Sequence, residues 1–245
     1  MRLSGKKIFI IVLLILVVFV SGFLLWANDT LEAEEGALEA LKGNKDVKVR
    51  TDSYITFEPE EKTKTGFIFY PGAKVDPEAY APLALEMAEK GIFTVITPMP
   101  LNLAIFGIDK ALGVMNNYPE IENWFFGGHS LGGAMAAQFT HSNPRMIKGL
   151  VLLAAYPAKN SKLNTSNTPV LSIYASEDGL ATPEKINNSK QYLPEDTEFV
   201  LIEGGNHAQF GDYGEQKGDG TATIPQEEQR RITVKKIIDF IEENE

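Results

Sequence analysis

No cysteine occurs among the 245 residues. That excludes a disulfide framework and a lipid-modified cysteine, so any exported part of the chain must be stabilised by its core. Histidine is scarce, with three copies, and few imidazoles compete for the part of a general base. Basic residues are the minority, 23 Lys and Arg against 33 Asp and Glu, for a formal net charge of −10. An acidic chain is a poor match for nucleic acid or anionic lipid head groups, and no nucleic-acid partner is expected. Solvation of a soluble face accounts for most of this charge. There is no internal repeat and no long low-complexity tract. Apolar and charged contents of 44% and 23% are ordinary for a globular protein, and the length suits one sizeable α/β domain.

The first segment departs from this composition. Ile8 to Trp26 is a run of nineteen uncharged residues rich in Ile, Leu, Val and Phe, long enough to cross a bilayer as a helix. Arg2, Lys6 and Lys7 precede it, and Asp29, Glu32, Glu34 and Glu35 follow. The positive-inside rule puts the N-terminus in the cytoplasm and everything after Trp26 outside. A cleaved signal peptide is the rival reading. Its apolar region is usually shorter, and Leu25-Trp26-Ala27 is a poor small-x-small cleavage site, which favours an uncleaved anchor. The expected organisation is an anchor over 1–27, a helical stalk over 28–46 with Leu31, Glu34, Leu38 and Leu41 at helical intervals, and one domain over 47–245.

Within that domain, apolar runs alternate with amphipathic helical patterns. Val47 to Arg50 and Ser53 to Phe57 read as an edge hairpin. Gly66 to Tyr70, Ile92 to Thr97, Trp124 to Phe126, Ile147 to Ala154, Pro169 to Ala175 and Thr197 to Ile202 read as further strands. Helices are expected from Asp76-Pro77 to Lys90, with Pro82 placed to kink its first turns, over Ile108 to Met115, over Leu131 to Gln138, over Pro183 to Tyr192, and at the C-terminus with Val234, Ile237, Ile238 and Ile241 on one face. The alternation predicts a mostly parallel sheet with helices on both faces. The connection from Pro98 to Phe106 is unusually apolar. It reads either as packed core or as an acyl pocket lined by Leu101, Leu103, Ile105 or Phe106.

Gly128, Ser130 and Gly132 form a G-x-S-x-G pattern between a strand and an Ala-rich helix. Such an elbow strains the serine backbone and lifts its hydroxyl towards a helix N-terminus, where an anion is favoured. A neutral hydroxyl needs an imidazole to take its proton, and the imidazole needs a carboxylate to fix its tautomer. Ligand sites in parallel sheets form beyond the carboxyl ends of the strands. There stand Ser176-Glu177-Asp178-Gly179 and Glu203-Gly204-Gly205-Asn206-His207. Asp178 is preferred to Glu177 as the acid because a short side chain in a turn suits an orienting role. His207 is the expected base. His129 adjoins the nucleophile with its side chain pointing away, and His141 lies late in the helix. The backbone N–H of Leu131 and one from the loop after Tyr70, assigned to Ala73, are the expected oxyanion donors. Asp212, Glu215 and Asp219 fit no calcium-loop spacing, so Gly211 to Gly220 reads as an ordered glycine-rich loop beside the site.

Gly128-His129-Ser130-Leu131-Gly132-Gly133, Asp178 and the run from Gly205 to Gly214 resemble the α/β-hydrolase superfamily, particularly bacterial dienelactone-hydrolase-like and serine esterase members, over roughly Tyr54 to the C-terminus. The resemblance implies an α/β-hydrolase fold, with Ser130 as nucleophile, Asp178 as acid, His207 as base, and Leu131 and Ala73 at the oxyanion. It implies neither cofactor nor metal. Two features depart from it. Many dienelactone hydrolases use a cysteine nucleophile, and Pro71-Gly72 stands where many esterases have His-Gly. About fifteen residues separate Ala154 from Pro169, which leaves room for only a minimal lid. The expected protein is a membrane-anchored serine hydrolase acting outside the cell on a small to medium carboxylic ester or lactone. A non-catalytic binding module on the same scaffold and an acyltransferase are the alternatives.

Overall fold

The computed structural model describes residues 5–245. Eight strands form one sheet: β1 (Val47–Thr51), β2 (Ile55–Pro59), β3 (Thr65–Tyr70), β4 (Phe93–Ile96), β5 (Asn123–His129), β6 (Gly149–Leu153), β7 (Val170–Ala175) and β8 (Glu198–Ile202). Their order is β1-β2-β4-β3-β5-β6-β7-β8. The edge hairpin β1/β2 is antiparallel and joins β4 antiparallel, and every other pairing is parallel. The α-helices are α1 (Gly5–Asn28), α2 (Glu35–Ala40), α3 (Ala81–Ala88), α4 (Lys110–Asn117), α5 (Leu131–Ser142), α6 (Pro183–Ser189) and α7 (Gln226–Asn244).

Alternate residues of the central strands feed two separate cores. Phe67, Phe69, Phe125, Val151 and Leu153 pack with α3 and α7 through Leu83, Met87, Ile237 and Ile241. Ile68, Tyr70, Phe126, Leu150 and Leu152 pack on the opposite face with α4 and α5 through Val114, Ala136 and Phe139. Both faces are covered, which is why these strands read as continuous apolar runs rather than alternating ones. The expected layered architecture is therefore present. The connection over 154–169 contains neither helix nor strand, so no lid domain is inserted there.

Two expectations need correction. The helix expected from Asp76 to Lys90 is broken in two: a 3-10 turn at Pro77–Tyr80, with the Asp76 side chain accepting from the Glu78 amide, then α3. Pro82 near the start of α3 has no N–H to donate backward, so the helix restarts there. The expected stalk contains only the six helical residues of α2, and the segment lies along the domain. The Leu31 amide donates to the Lys74 carbonyl at 2.7 Å, the Glu34 amide donates to the Asp212 carbonyl at 2.9 Å, and Ala37 and Ala40 are buried. Ala37 and Ala40 thus cover the domain, while Leu38 stays exposed.

Among the described residues, α1 is the one helix long and apolar enough to cross a membrane. Lys6 and Lys7 lie at its start, while Arg2 lies outside the described residues.

Candidate active site

Strand order fixes where the site forms. The chain leaves β3 for β4 on one side and returns to β5 on the other, opening a crevice at their carboxyl ends. Ser130 follows β5 directly, at φ 53° and ψ −120°, a left-handed conformation unusual for a residue with a side chain. Two bonds hold the corner. The Ser130 amide donates to the Leu153 carbonyl of β6 at 3.0 Å, and the Ser130 carbonyl accepts from the Ala134 amide at 3.1 Å. The turn needs glycine at 132, because a Cβ there would lie 2.1 Å from the Tyr70 carbonyl oxygen and 2.4 Å from that of Pro71. The first amides of α5 have no intrahelical acceptor, so the Leu131 N–H at the helix start is available.

Asp178 and His207 are brought together. His207 Nδ1 and Asp178 Oδ2 are 2.8 Å apart, and both side chains are buried. The other Asp178 oxygen accepts from the Leu180 and Ala181 amides, each at 2.7 Å. Those two donors fix the carboxylate and aim its free oxygen at the ring. Glu177, the rejected alternative, is exposed and accepts only from its neighbour Ser176. His207 Nε2 is buried and has no hydrogen-bond partner among the described residues. His207 lines a depression of about 300 Å³ together with Ser130, Leu131, Ala134, Ala155 and Leu180.

The loop after β3 separates its two candidate donors. The Gly72 amide is occupied, donating to the Tyr80 hydroxyl at 3.0 Å. The Ala73 amide makes no hydrogen bond among the described residues. Leu101, Leu103, Ile105 and Phe106 do not line the depression. Leu103 is buried in the core, while Ile105 and Phe106 are exposed.

Three residues that the sequence did not single out as site residues organise this region. Tyr80 is fully buried and links the Gly72 amide to His129, its hydroxyl 2.9 Å from His129 Nδ1. Burial holds its phenol above the ordinary tyrosine range. Asp219, weighed above only as a metal ligand, binds four backbone amides. One oxygen accepts from Gly179, His207 and Gly220, and the other from Ala208 at 2.8 Å. It thus ties the Asp178 loop to the His207 loop. Gln229, fully buried, accepts from the Asn206 amide and donates to the Asn206 carbonyl. Gln229 had a visible signal, a polar residue four positions before Thr233 and eight before Ile237 on the buried face of α7. Asp219 had none, because backbone donors leave no mark in sequence. Among the described residues no cluster of His, Asp and Glu could hold a metal ion.

The model of the alpha/beta hydrolase family matches residues 66–231, from β3 into α7. The chain belongs to that family. Among solved structures, this alpha/beta hydrolase is similar to Est1E from Butyrivibrio proteoclasticus with ferulic acid bound, at 14% identity and a TM-score of 0.60, covering 82% of this chain and 96% of that one. It is also similar to MGS-MChE2, an alpha/beta hydrolase enzyme from the metagenome of lagoon sediments at Mar Chica, Morocco, at 19% identity, TM-score 0.56, with 79% and 98% covered. An alpha-beta serine hydrolase homologue from Coxiella burnetii aligns at 13% identity, TM-score 0.56, with 79% and 97% covered. At such identities the likeness is one of fold. No curated protein matches the chain.

Proposed function

We propose that this alpha/beta hydrolase is a serine esterase that works through an acyl-enzyme, on a small to medium carboxylic ester or lactone. The observation that carries the reading is the buried His207 Nε2, unpartnered, on a depression it shares with Ser130 while Asp178 holds the other ring nitrogen. In this reading the Ser130 hydroxyl attacks the acyl carbon and its proton passes to His207 Nε2. Asp178 keeps Nδ1 protonated and stabilises the imidazolium. The oxyanion is met by the amides of Leu131 and Ala73. His207 then gives its proton to the departing alcohol as the C–O bond breaks. Water, deprotonated by His207, releases the acid and restores Ser130.

Domain roles follow the same reading: residues 1–27 as an uncleaved single-pass anchor, 28–46 as a connecting segment, and 47–245 as the hydrolase domain outside the cytoplasm. The length and composition of α1 and the lysines at its start support this. The small volume of the depression and the missing lid support short acyl groups.

Labelling of the full chain with a fluorophosphonate tests the mechanism. An adduct on Ser130, absent in Ser130→Ala, is expected, along with loss of short-ester hydrolysis in that variant. A folded wild-type chain that takes no label and turns over no ester would overturn the reading in favour of a binding module.

A further inference from the structure

The end of α1 is seated on the same edge of the sheet as the candidate site. Asn102 Nδ2 donates to the Ala27 carbonyl at 3.1 Å, and the Phe23 and Phe106 rings meet edge to face with centroids 6.4 Å apart. Lys74 Nζ sits 4.8 Å above the Trp26 ring and 3.4 Å from Asp29. Asn102 and Phe106 belong to the loop after β4, and Lys74 to the loop after β3, next to Ala73. The Lys74 amide donates to the Asn102 carbonyl at 2.8 Å, which joins the two loops. The domain therefore begins where the apolar helix stops.

The loop also exposes apolar surface at this place. Outside α1, the exposed large apolar side chains among the described residues are Leu38, Ile105, Phe106, Met146 and Leu201. Two of the five are consecutive, Ile105 at 53% and Phe106 at 54% exposed, and Phe106 meets α1 through Phe23. Along α1 nearly every apolar side chain from Ile8 to Trp26 is exposed, a surface that only a hydrocarbon environment satisfies. Trp26 paired with Lys74 at the helix end has the composition of the bilayer interface, where aromatic rings and snorkelling lysines collect. The turn Ala104–Phe106 packs in turn on α5, which supplies Leu131 and Ala134 to the depression at Ser130.

We propose that the Pro100–Phe106 loop beds in the membrane surface beside α1, and that the site takes short-acyl esters whose alcohol part is held in that same leaflet. The bilayer is the occupant because the exposed pair continues the apolar surface of α1. The contact is apolar, and the acidic domain gives no reason to require anionic lipid. The acyl side is short because the depression at Ser130 holds only about 300 Å³, and the bulk of the substrate remains outside it. The substrate half rests on the esterase reading above. The membrane half does not.

The absence of cysteine permits a clean test with single labels. Phe106→Cys and, as a reference on the amino edge of the sheet, Met146→Cys are labelled with an environment-sensitive fluorophore. Each full chain is reconstituted in phosphatidylcholine vesicles containing a chain-labelled doxyl quencher. The label at 106 is expected to be blue-shifted and quenched several-fold more than the label at 146. Equal quenching at the two positions overturns the membrane contact.

For the substrate, Ile105→Ser/Phe106→Ser is compared with wild type on the acetyl ester of hexadecylglycerol embedded in the same vesicles and on water-soluble triacetin. Removing two buried apolar groups from the contact should lower turnover of the embedded ester about ten-fold or more, with triacetin changed less than about two-fold. Parallel changes on both esters overturn the substrate assignment. Wild type inactive on both, with no fluorophosphonate adduct, is failure of the esterase reading, which the quenching result does not share.

Discussion

The imidazole of His129 lies against that of His207, ring centroids 4.4 Å apart and planes tilted by 50°. His129 is fully buried, and burial, followed by the charge His207 would carry, holds its pKa well below the ordinary histidine value. Its Nδ1 lies 2.9 Å from the Tyr80 hydroxyl. The base candidate thus rests on a ring that stays neutral.

This neutrality has a consequence for stability. In the unfolded chain His129 takes a proton below about pH 6.5, and the folded chain refuses it. The unfolded state then binds more protons, so the contribution of this residue is complete above about pH 6.5 and is lost as pH falls. Relative to His129→Asn, the wild type should lose up to about 1.4 kcal/mol per pH unit below that point. Urea unfolding of the full chain in detergent micelles at pH 7.5 and 5.5 measures it, and a pH-independent gap between the two proteins would refute it.

Asp178→Asn should cost activity without much loss of fold. Leu180 and Ala181 donate to Oδ1, so the asparagine keeps its carbonyl there and turns its NH2 towards His207 Nδ1. Nδ1 must then accept, and the proton moves to Nε2, the wrong nitrogen for a base. A fall in kcat of roughly 10⁴ on a short ester is expected, with the urea midpoint nearly unchanged.

Asp219→Ala removes a carboxylate that accepts from Gly179, His207, Gly220 and Ala208. The amides left behind lie in the two loops that carry Asp178 and His207. Destabilisation of about 2–3 kcal/mol is expected. The rate of fluorophosphonate labelling at Ser130 should fall by about ten-fold or more as the His207 loop loses its position. Asp219→Asn, which keeps one accepting oxygen, should recover part of that rate. Unchanged labelling in Asp219→Ala would assign the carboxylate to stability alone.

Gly132→Ala places a methyl group against the carbonyl oxygens of Tyr70 and Pro71, which are backbone atoms with little freedom to move. A loss of about 1–3 kcal/mol or more is expected, together with loss of the elbow conformation at Ser130. Thermal unfolding and fluorophosphonate labelling would both register it. Gly22→Ala, in α1 with open space around it, is the matched control and should change neither.

The order of elements, the buried strands and the pairing of Asp178 with His207 were legible along the chain, because each rests on local signals. Strands buried on both faces carry uninterrupted apolar runs, and parallel strands force candidate residues onto loops at one edge. The elbow was legible for the same reason, since the close approach of the helix start to the neighbouring strand end demands glycine two residues after the serine. The tertiary structure alone decided how those loops are held and where the edge faces. Asp219 and Tyr80 act on backbone amides of distant segments, and such amides belong to every residue type. The segment read as a stalk folds back because its alanines find a surface that periodicity cannot reveal. Likewise, the apolar loop from Pro98 to Phe106 announced its hydrophobicity in sequence. Only the docking of α1 against it showed that Leu103 serves the core while Ile105 and Phe106 are left exposed beside the apolar helix.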